Sequence, residues 1–169
     1  VNQLLRLLWV VVLRRATRLA VLDTCRTPFT VVPGDLDVLR HMNNGIYLSL
    51  MDLGRVDYMR RTGLWAGLTR KRWYPVITLC SMRYRRSLTL FQRFAIETRF
   101  LGHDATTLFV EQRFVRRGEL VAVGVVGARF LKASGGTVTP EELLVLGGFT
   151  GTAPTLPDWV TQWSEAARA

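Results

Sequence analysis

The sequence predicts an α+β domain in which one antiparallel β-sheet wraps around a long central helix, and three observations lead there. Between residues 73 and 131, four segments of strand-like alternation follow one another with hairpin-length links. Just before them, residues 46–61 run without proline and are apolar around most of a helical circumference, which places that helix inside something. The chain has 169 residues, 49% hydrophobic and 21% charged, enough for one sizeable core and too few for a second.

The elements follow in order. Residues 4–13 are apolar but for Arg6 and run into Arg14, Arg15 and Arg18. A membrane-spanning helix needs about 20 apolar residues, and the arginines stand where a secretory signal would carry small residues. Residues 1–22 therefore read as an N-terminal apolar and basic helix. It packs on the domain or on a second subunit, or it makes a peripheral membrane contact through residues 1–18 on an anionic surface. The expected location is cytoplasmic, membrane-peripheral in the second case.

The main domain is expected over residues 23–135. Phe29, Val31 and Val32 suggest a first strand, ended by the turn formers Pro33-Gly34-Asp35. Asn43 and Asn44 suit as caps of the central helix, and Thr62-Gly63 provides its stop, with Leu64, Trp65 and the following loop shaping any pocket. The strand over 73–86 is apolar first and basic at its end. In the next, Phe94, Ile96, Thr98 and Phe100 alternate against Arg93, Ala95, Glu97 and Arg99. Gly102-His103-Asp104 turns the chain into Leu108, Val110 and Phe114, and Arg117-Gly118 turns it into residues 120–131, whose apolar run predicts a central strand. Gly124 and Gly127 mark bulges or close packing against the helix. A single curved sheet leaves its edges unpaired, so pairing with a second copy is expected, as a homodimer or a homotetramer. Residues 136–169 read as a C-terminal short helix over 140–146 and a Gly/Thr/Pro-rich tail docked by Trp159 and Trp163.

The net charge of +10 comes almost wholly from arginine, because Lys71 and Lys132 are the only lysines. Such a field favours an anionic partner. No base-reading or RNA-stacking motif accompanies the arginines, so nucleic acid is not expected. Cys25 and Cys80 match no metal or redox spacing and read as two reduced, mostly buried thiols; no metal and no cofactor is expected.

The chemistry concentrates in residues 34–48, GDLDVLRHMNNGIYL. Hydrolysis of an acyl bond needs a carboxylate to activate water or attack the carbonyl, and donors for the resulting oxyanion. Asp37 lies just before a helix whose first N–H groups have no intrahelical partners, so Asn44 and Gly45 can supply those donors, glycine allowing close approach. Asp35, Asp37, His41, Asn43, Asn44 and Tyr47 together resemble the signature of the 4-hydroxybenzoyl-CoA thioesterase-like hotdog family: an aspartate pair around one residue, a His-hydrophobic-Asn-Asn run and a tyrosine on the central helix. The resemblance covers about residues 24–131 and implies the hotdog fold and an acyl-CoA thioesterase releasing free acid and CoA. Asp37 would be base or nucleophile, with His41 and Asn44 as catalytic partners.

Other roles are weighed beside these. Asp35 reads more simply as a turn residue. His41 is a general-acid helper or only ties the loop to the helix. Tyr47 and Met51 read as pocket wall. Arg83, Arg85 and Arg86 either bind the phosphates of CoA or form a solvated strand end. Family members often carry glycine before the histidine where this chain has Arg40, which either contacts a phosphate or narrows access. The alternative to an enzyme is a non-catalytic acyl-CoA or lipid-binding hotdog protein at a membrane surface.

Overall fold

The computed structural model describes residues 2–13 and 17–168. Helix α1 (Asn2–Leu8) runs into a π-helical turn (Trp9–Leu13), strand β1 (Cys25–Thr30) and a 3₁₀ turn (Pro33–Asp35). Then come α2 (Asn44–Arg61), α3 (Leu64–Lys71), β2 (Trp73–Tyr84), β3 (Arg93–His103), β4 (Leu108–Arg116), β5 (Glu119–Lys132), the short β6 (Thr137–Val138), α4 (Pro140–Leu146) and α5 (Asp158–Ala166). The strands form one antiparallel sheet in the order β1-β3-β4-β5-β2, with β6 on β5. This is the predicted hotdog arrangement, with α2 lying in the curl of the sheet.

Local chemistry sets most of this order. Strands β3, β4 and β5 are consecutive hairpins. The β4–β5 link is two residues long, with Arg117 and Gly118 both at positive φ (51° and 83°), the geometry that matches strand twist. At the β3–β4 turn the Asp104 carboxylate accepts from the N–H groups of Thr106 and Thr107, each at 2.9 Å. Helix α2 buries Tyr47, Leu50, Met51, Leu53, Gly54, Asp57 and Tyr58. Gly54 is where it touches the sheet: a Cβ there would stand 2.9 Å from Gln112 Nε2 and 3.2 Å from Thr98 Oγ1. Gly124 marks close packing as well, facing Met51 at 2.5 Å from a would-be Cβ. The bulge near Gly127 lies in β2, between Ile77 and Leu79.

Three expectations are corrected. The segment after Gly63 is helix α3, because Gly63 at φ 81° ends α2 with a sharp turn and the chain restarts helical at Leu64. The C-terminal tail contains helix α5. It covers the outer face of the sheet with a fully buried Val160 and with Trp163 against Phe109 at 6.5 Å, whereas Trp159 stays half exposed. Cys25 is buried as expected, but Cys80 is exposed because it lies on the edge strand β2.

The N-terminal segment lies along α2. Leu7 packs against the main core, Val10 is fully buried, and Arg60 Nη1 donates to Val10 O. Leu4, Leu5 and Leu8 face outward, 71%, 58% and 51% exposed. Arg14 and Arg15, part of the predicted basic end, lie outside the described residues. Among the described residues no helix is long and apolar enough to cross a membrane.

Candidate active site

The loop between β1 and α2 is held in two layers. On its inner side Asp35, 1% exposed, takes both guanidinium N–H groups of Arg6 (2.9 and 2.6 Å) and the Val32 N–H (2.9 Å). Arg6 also donates to Thr30 O at 2.8 Å, so one arginine ties the N-terminal helix, the end of β1 and the loop together. The backbone then folds back on itself: Asp37 N–H donates to His41 O (2.8 Å), Asn43 N–H to Asp35 O (2.8 Å) and Met42 N–H to Leu88 O (2.8 Å).

On the outer side Asp37 is half-buried. Its Oδ1 accepts from the N–H groups of Leu39 (2.9 Å) and His41 (3.1 Å), and its second oxygen takes no hydrogen bond among the described residues. One oxygen thus holds the turn and the other is open to chemistry. Arg40 closes the turn with its N–H on Asp37 O and a φ of 61°. That left-handed conformation is what glycine adopts freely. The backbone therefore explains why glycine suits this position, and the Arg40 side chain is exposed without lining the recess.

Helix α2 begins at Asn44, capped by the Asn43 side chain, which accepts from Gly45 N–H at 2.8 Å. A recess of about 320 Å³ opens in front, lined by Asp37, His41 and Met42 from the loop, Asn44 and Tyr47 from α2, and Tyr84, Arg85, Arg86 and Ser87 from the end of β2. The fold thus brings together six residues singled out in the sequence: Asp37, His41, Asn44, Tyr47, Arg85 and Arg86. Tyr47 forms wall, packed edge-on against Tyr84 (5.1 Å) and against Phe114 (5.0 Å); its burial pushes the hydroxyl above the usual tyrosine range, with the backbone of Leu88 opposing. The Tyr84 hydroxyl donates to Asn44 O at 3.3 Å.

Two of the proposed binding residues do not join. Gly45 N–H already serves the Asn43 cap, so the donor left at the start of α2 is the Asn44 N–H. Arg83 does not line the recess, because it alternates with Tyr84 along β2 and so faces the other side of the sheet. Arg85 returns to the recess side because Arg85 and Arg86 both donate to Val121 O (2.9 and 3.0 Å), an irregularity that breaks the alternation. Arg86 also pairs with Glu119, while the Arg85 side chain has no partner among the described residues. The His41 ring makes no hydrogen bond to Asp37; only its backbone does. Tyr84 and Ser87 were missed in the sequence, although the period-2 pattern through Cys80 and Met82 pointed Tyr84 inward.

A second cavity, of about 330 Å³, lies farther along α2. Its walls are apolar, with Val56, Met59, Ile77, Phe100, Val110 and Phe130 among them, and Asp52 and Arg55 are the charged residues at its lining. Arg55 is 14% exposed, pairs with Asp52 and donates to Gln112 Oε1 at 2.7 Å. Burial lowers its pKa and the charge of Asp52 opposes this. Both cavities border α2 on the side facing β2.

Comparison with known proteins agrees with this fold. The family model described as the thioesterase-like superfamily matches residues 31–164. Protein THEM6 of Xenopus laevis is 45% identical over 85 residues, covering 50% of this chain and 41% of that protein. The chain thus spans less than half the length of the curated relative it matches. A probable thioesterase of Escherichia coli, YbaW, superposes with a TM-score of 0.67 at 20% identity, over 73% of this chain and 95% of its own. DHNA-CoA thioesterase of Staphylococcus aureus gives 0.63 at 15% identity, over 86% and 91%.

Proposed function

The chain belongs to the thioesterase-like superfamily, and from that premise we propose that it hydrolyses acyl-CoA thioesters in the Asp37 recess. The observation that carries this reading is the open oxygen of Asp37 in a recess shared with the Asn44 N–H at the positive end of α2 and with Arg85, whose side chain has no partner among the described residues. Asp37 takes a proton from water as the water attacks the thioester carbonyl, or attacks the carbon itself to form an anhydride that water then hydrolyses, freeing the acid and restoring the carboxylate. The Asn44 N–H and the helix dipole stabilise the oxyanion, and the C–S bond breaks to release the thiol. Arg85 and Arg86 take the phosphates of CoA by charge-assisted hydrogen bonds. His41 ties the loop through its backbone and offers its ring as a proton donor to the leaving group. The acyl chain runs along α2 toward the apolar cavity; from Tyr47 to Val56 is about 13 Å at ~1.5 Å per helical residue. A panel of acyl-CoA thioesters of varied chain length tests the reading by release of free CoA. Absence of release from every member by folded protein counts against it.

The exposed leucines of α1 favour a second reading, a non-catalytic acyl-CoA or lipid binder at a membrane surface. Deleting the N-terminal segment is a poor test, since it also removes the Arg6 partner of Asp35. Leu4→Ser, Leu5→Ser and Leu8→Ser together leave that ion pair in place. Loss of vesicle co-sedimentation in this variant, with no turnover in the unaltered chain, supports the binder.

Assembly belongs to the same proposal. Strand β2 is a 12-residue edge with Tyr74, Val76 and Ile77 exposed; it borders the apolar cavity through Pro75 and Ile77 and the Asp37 recess through Tyr84. Such an edge invites pairing with a second copy. Light scattering should give at least a dimer; a monomeric mass across a wide concentration range contradicts it.

A further inference from the structure

Arg18, Arg60, Arg61 and Arg70 converge on a recess of about 490 Å³ at the C-terminal end of α2, over a floor that includes Gly63 and Gly67. Among the described residues no carboxylate lines it. Among the described residues the side-chain ion pairs lie elsewhere, as in Arg26–Glu97, Arg99–Glu111 and Arg168–Asp104, and none includes these four arginines. Among the described residues Arg61 donates only to neutral groups, Thr17 O (2.9 Å), Thr17 Oγ1 (3.0 Å) and Cys25 Sγ (3.6 Å), and Arg60 to Val10 O. Arg18 and Arg70 are exposed and make no side-chain hydrogen bond to any described residue.

Favourable interaction with helix ends accounts for part of this. Arg60 and Arg61 sit in the last turn of α2 and Arg70 in the last turn of α3, where cations offset the helix dipole. It does not account for Arg18, which arrives from the N-terminal segment through the Leu19 N–H bond to Arg61 O (3.0 Å). Its Nη2 lies over Gly63, 3.6 Å from where a Cβ would stand. Four like charges held together repel one another, and a multivalent anion placed among them removes that repulsion. Arginine forks also match phosphate oxygens in pairs.

We propose that this recess binds a phosphate-bearing anion. It stands apart from the Asp37 recess, since the two lie at opposite ends of the 18-residue α2, about 27 Å long. The site therefore holds whether or not the chain is a hydrolase. The phosphate has two candidate sources, a nucleotide such as coenzyme A and a phospholipid headgroup, the leucines of α1 bringing the second into view.

Calorimetric titration of the full chain with inorganic pyrophosphate tests the site. Arg18→Gln with Arg70→Gln should weaken binding at least tenfold, and Arg70→Gln alone should give a smaller loss in the same direction should the double variant fold poorly. Arg116→Gln with Arg117→Gln, which removes the same charge at the β4–β5 turn, should change affinity less than twofold. No pyrophosphate binding by the unaltered chain, or equal losses in the two double variants, overturns the proposal. Titrations with coenzyme A and with phosphatidate vesicles, repeated on the Arg18/Arg70 variant, then identify the source as whichever loses binding; loss of pyrophosphate binding alone assigns a free phosphate-class anion.

Discussion

Asp35 and Asp37 are separated by one residue and occupy different physical worlds. Asp35 is shut in the protein and satisfied on both oxygens by Arg6 and the Val32 N–H. Asp37, on the opposite face of the same loop, has one oxygen engaged by the turn and one open to the recess. A fully satisfied buried carboxylate is structure; a half-satisfied one beside orphan donors is available for chemistry. The inner layer fixes the loop so that the outer layer can be preorganised.

The largest effect expected from breaking this contrast is on the inner layer. Asp35→Asn removes a buried carboxylate and leaves Arg6 without its counter-charge, which costs about 3 kcal/mol. Urea denaturation should show the midpoint falling accordingly. Gly54→Ala probes the seating of α2 on the sheet, its contact with Gln112 and Thr98; overpacking there should cost about 1–3 kcal/mol. A stability unchanged by it means that α2 is not seated as described. On the outer layer, Arg85→Gln should raise KM for acyl-CoA roughly three- to tenfold with little change in kcat, as expected for a group that holds substrate and transition state alike.

Smaller effects sharpen the picture. Burial alone would raise the Asp104 carboxyl, but hydrogen bonds from Thr106 and Thr107 N–H and the Ser164 hydroxyl, with Arg168 nearby, outweigh it and hold its pKa below the ordinary carboxylate value. A depressed folded pKa means stability present at neutral pH and lost as pH falls through that pKa. The thermal midpoints of the unaltered chain and of Asp104→Asn should therefore differ at neutral pH and converge in acid below the normal aspartate range. Arg40→Gly relieves a left-handed arginine and should raise stability by up to about 1 kcal/mol without altering turnover. A marked loss of turnover would return a substrate role to the arginine.

What was legible in the sequence was local. The alternation of β3 to β5, the Arg117-Gly118 turn and the buried stripe of α2 each state their structure within a few residues. Helix α3 was hidden because Gly63 reads equally as a stop and as a hinge between two helices. Helix α5 was hidden because its stability comes from burying Val160 and packing Trp163, which the surrounding Pro- and Thr-rich composition does not announce. The gathering of Asp37 and Asn44 followed from their place around one helix start, and that of His41 and Tyr47 from the resemblance to the family signature. The exclusion of Arg83 beside the inclusion of Arg85 did not, because it depends on two N–H groups sharing Val121 O. The four-arginine recess could not be read as one site for the same kind of reason: its members come from the N-terminal segment, α2 and α3, and only tertiary contacts bring them together.

The contrast between the two aspartates is tested most directly by making Asp35→Asn and Asp37→Asn side by side and measuring both acyl-CoA turnover and the unfolding midpoint. Asp37→Asn keeps the size and much of the hydrogen bonding of the turn but removes the carboxylate. Its turnover should fall by at least about 10²-fold, the lower range for losing a positioned general base, while its unfolding midpoint moves little. Asp35→Asn should show the reverse, a large loss of stability and, at temperatures where it is folded, turnover near that of the unaltered chain. Near-normal turnover by the Asp37→Asn protein, on a substrate that the unaltered chain hydrolyses, contradicts the assignment of Asp37.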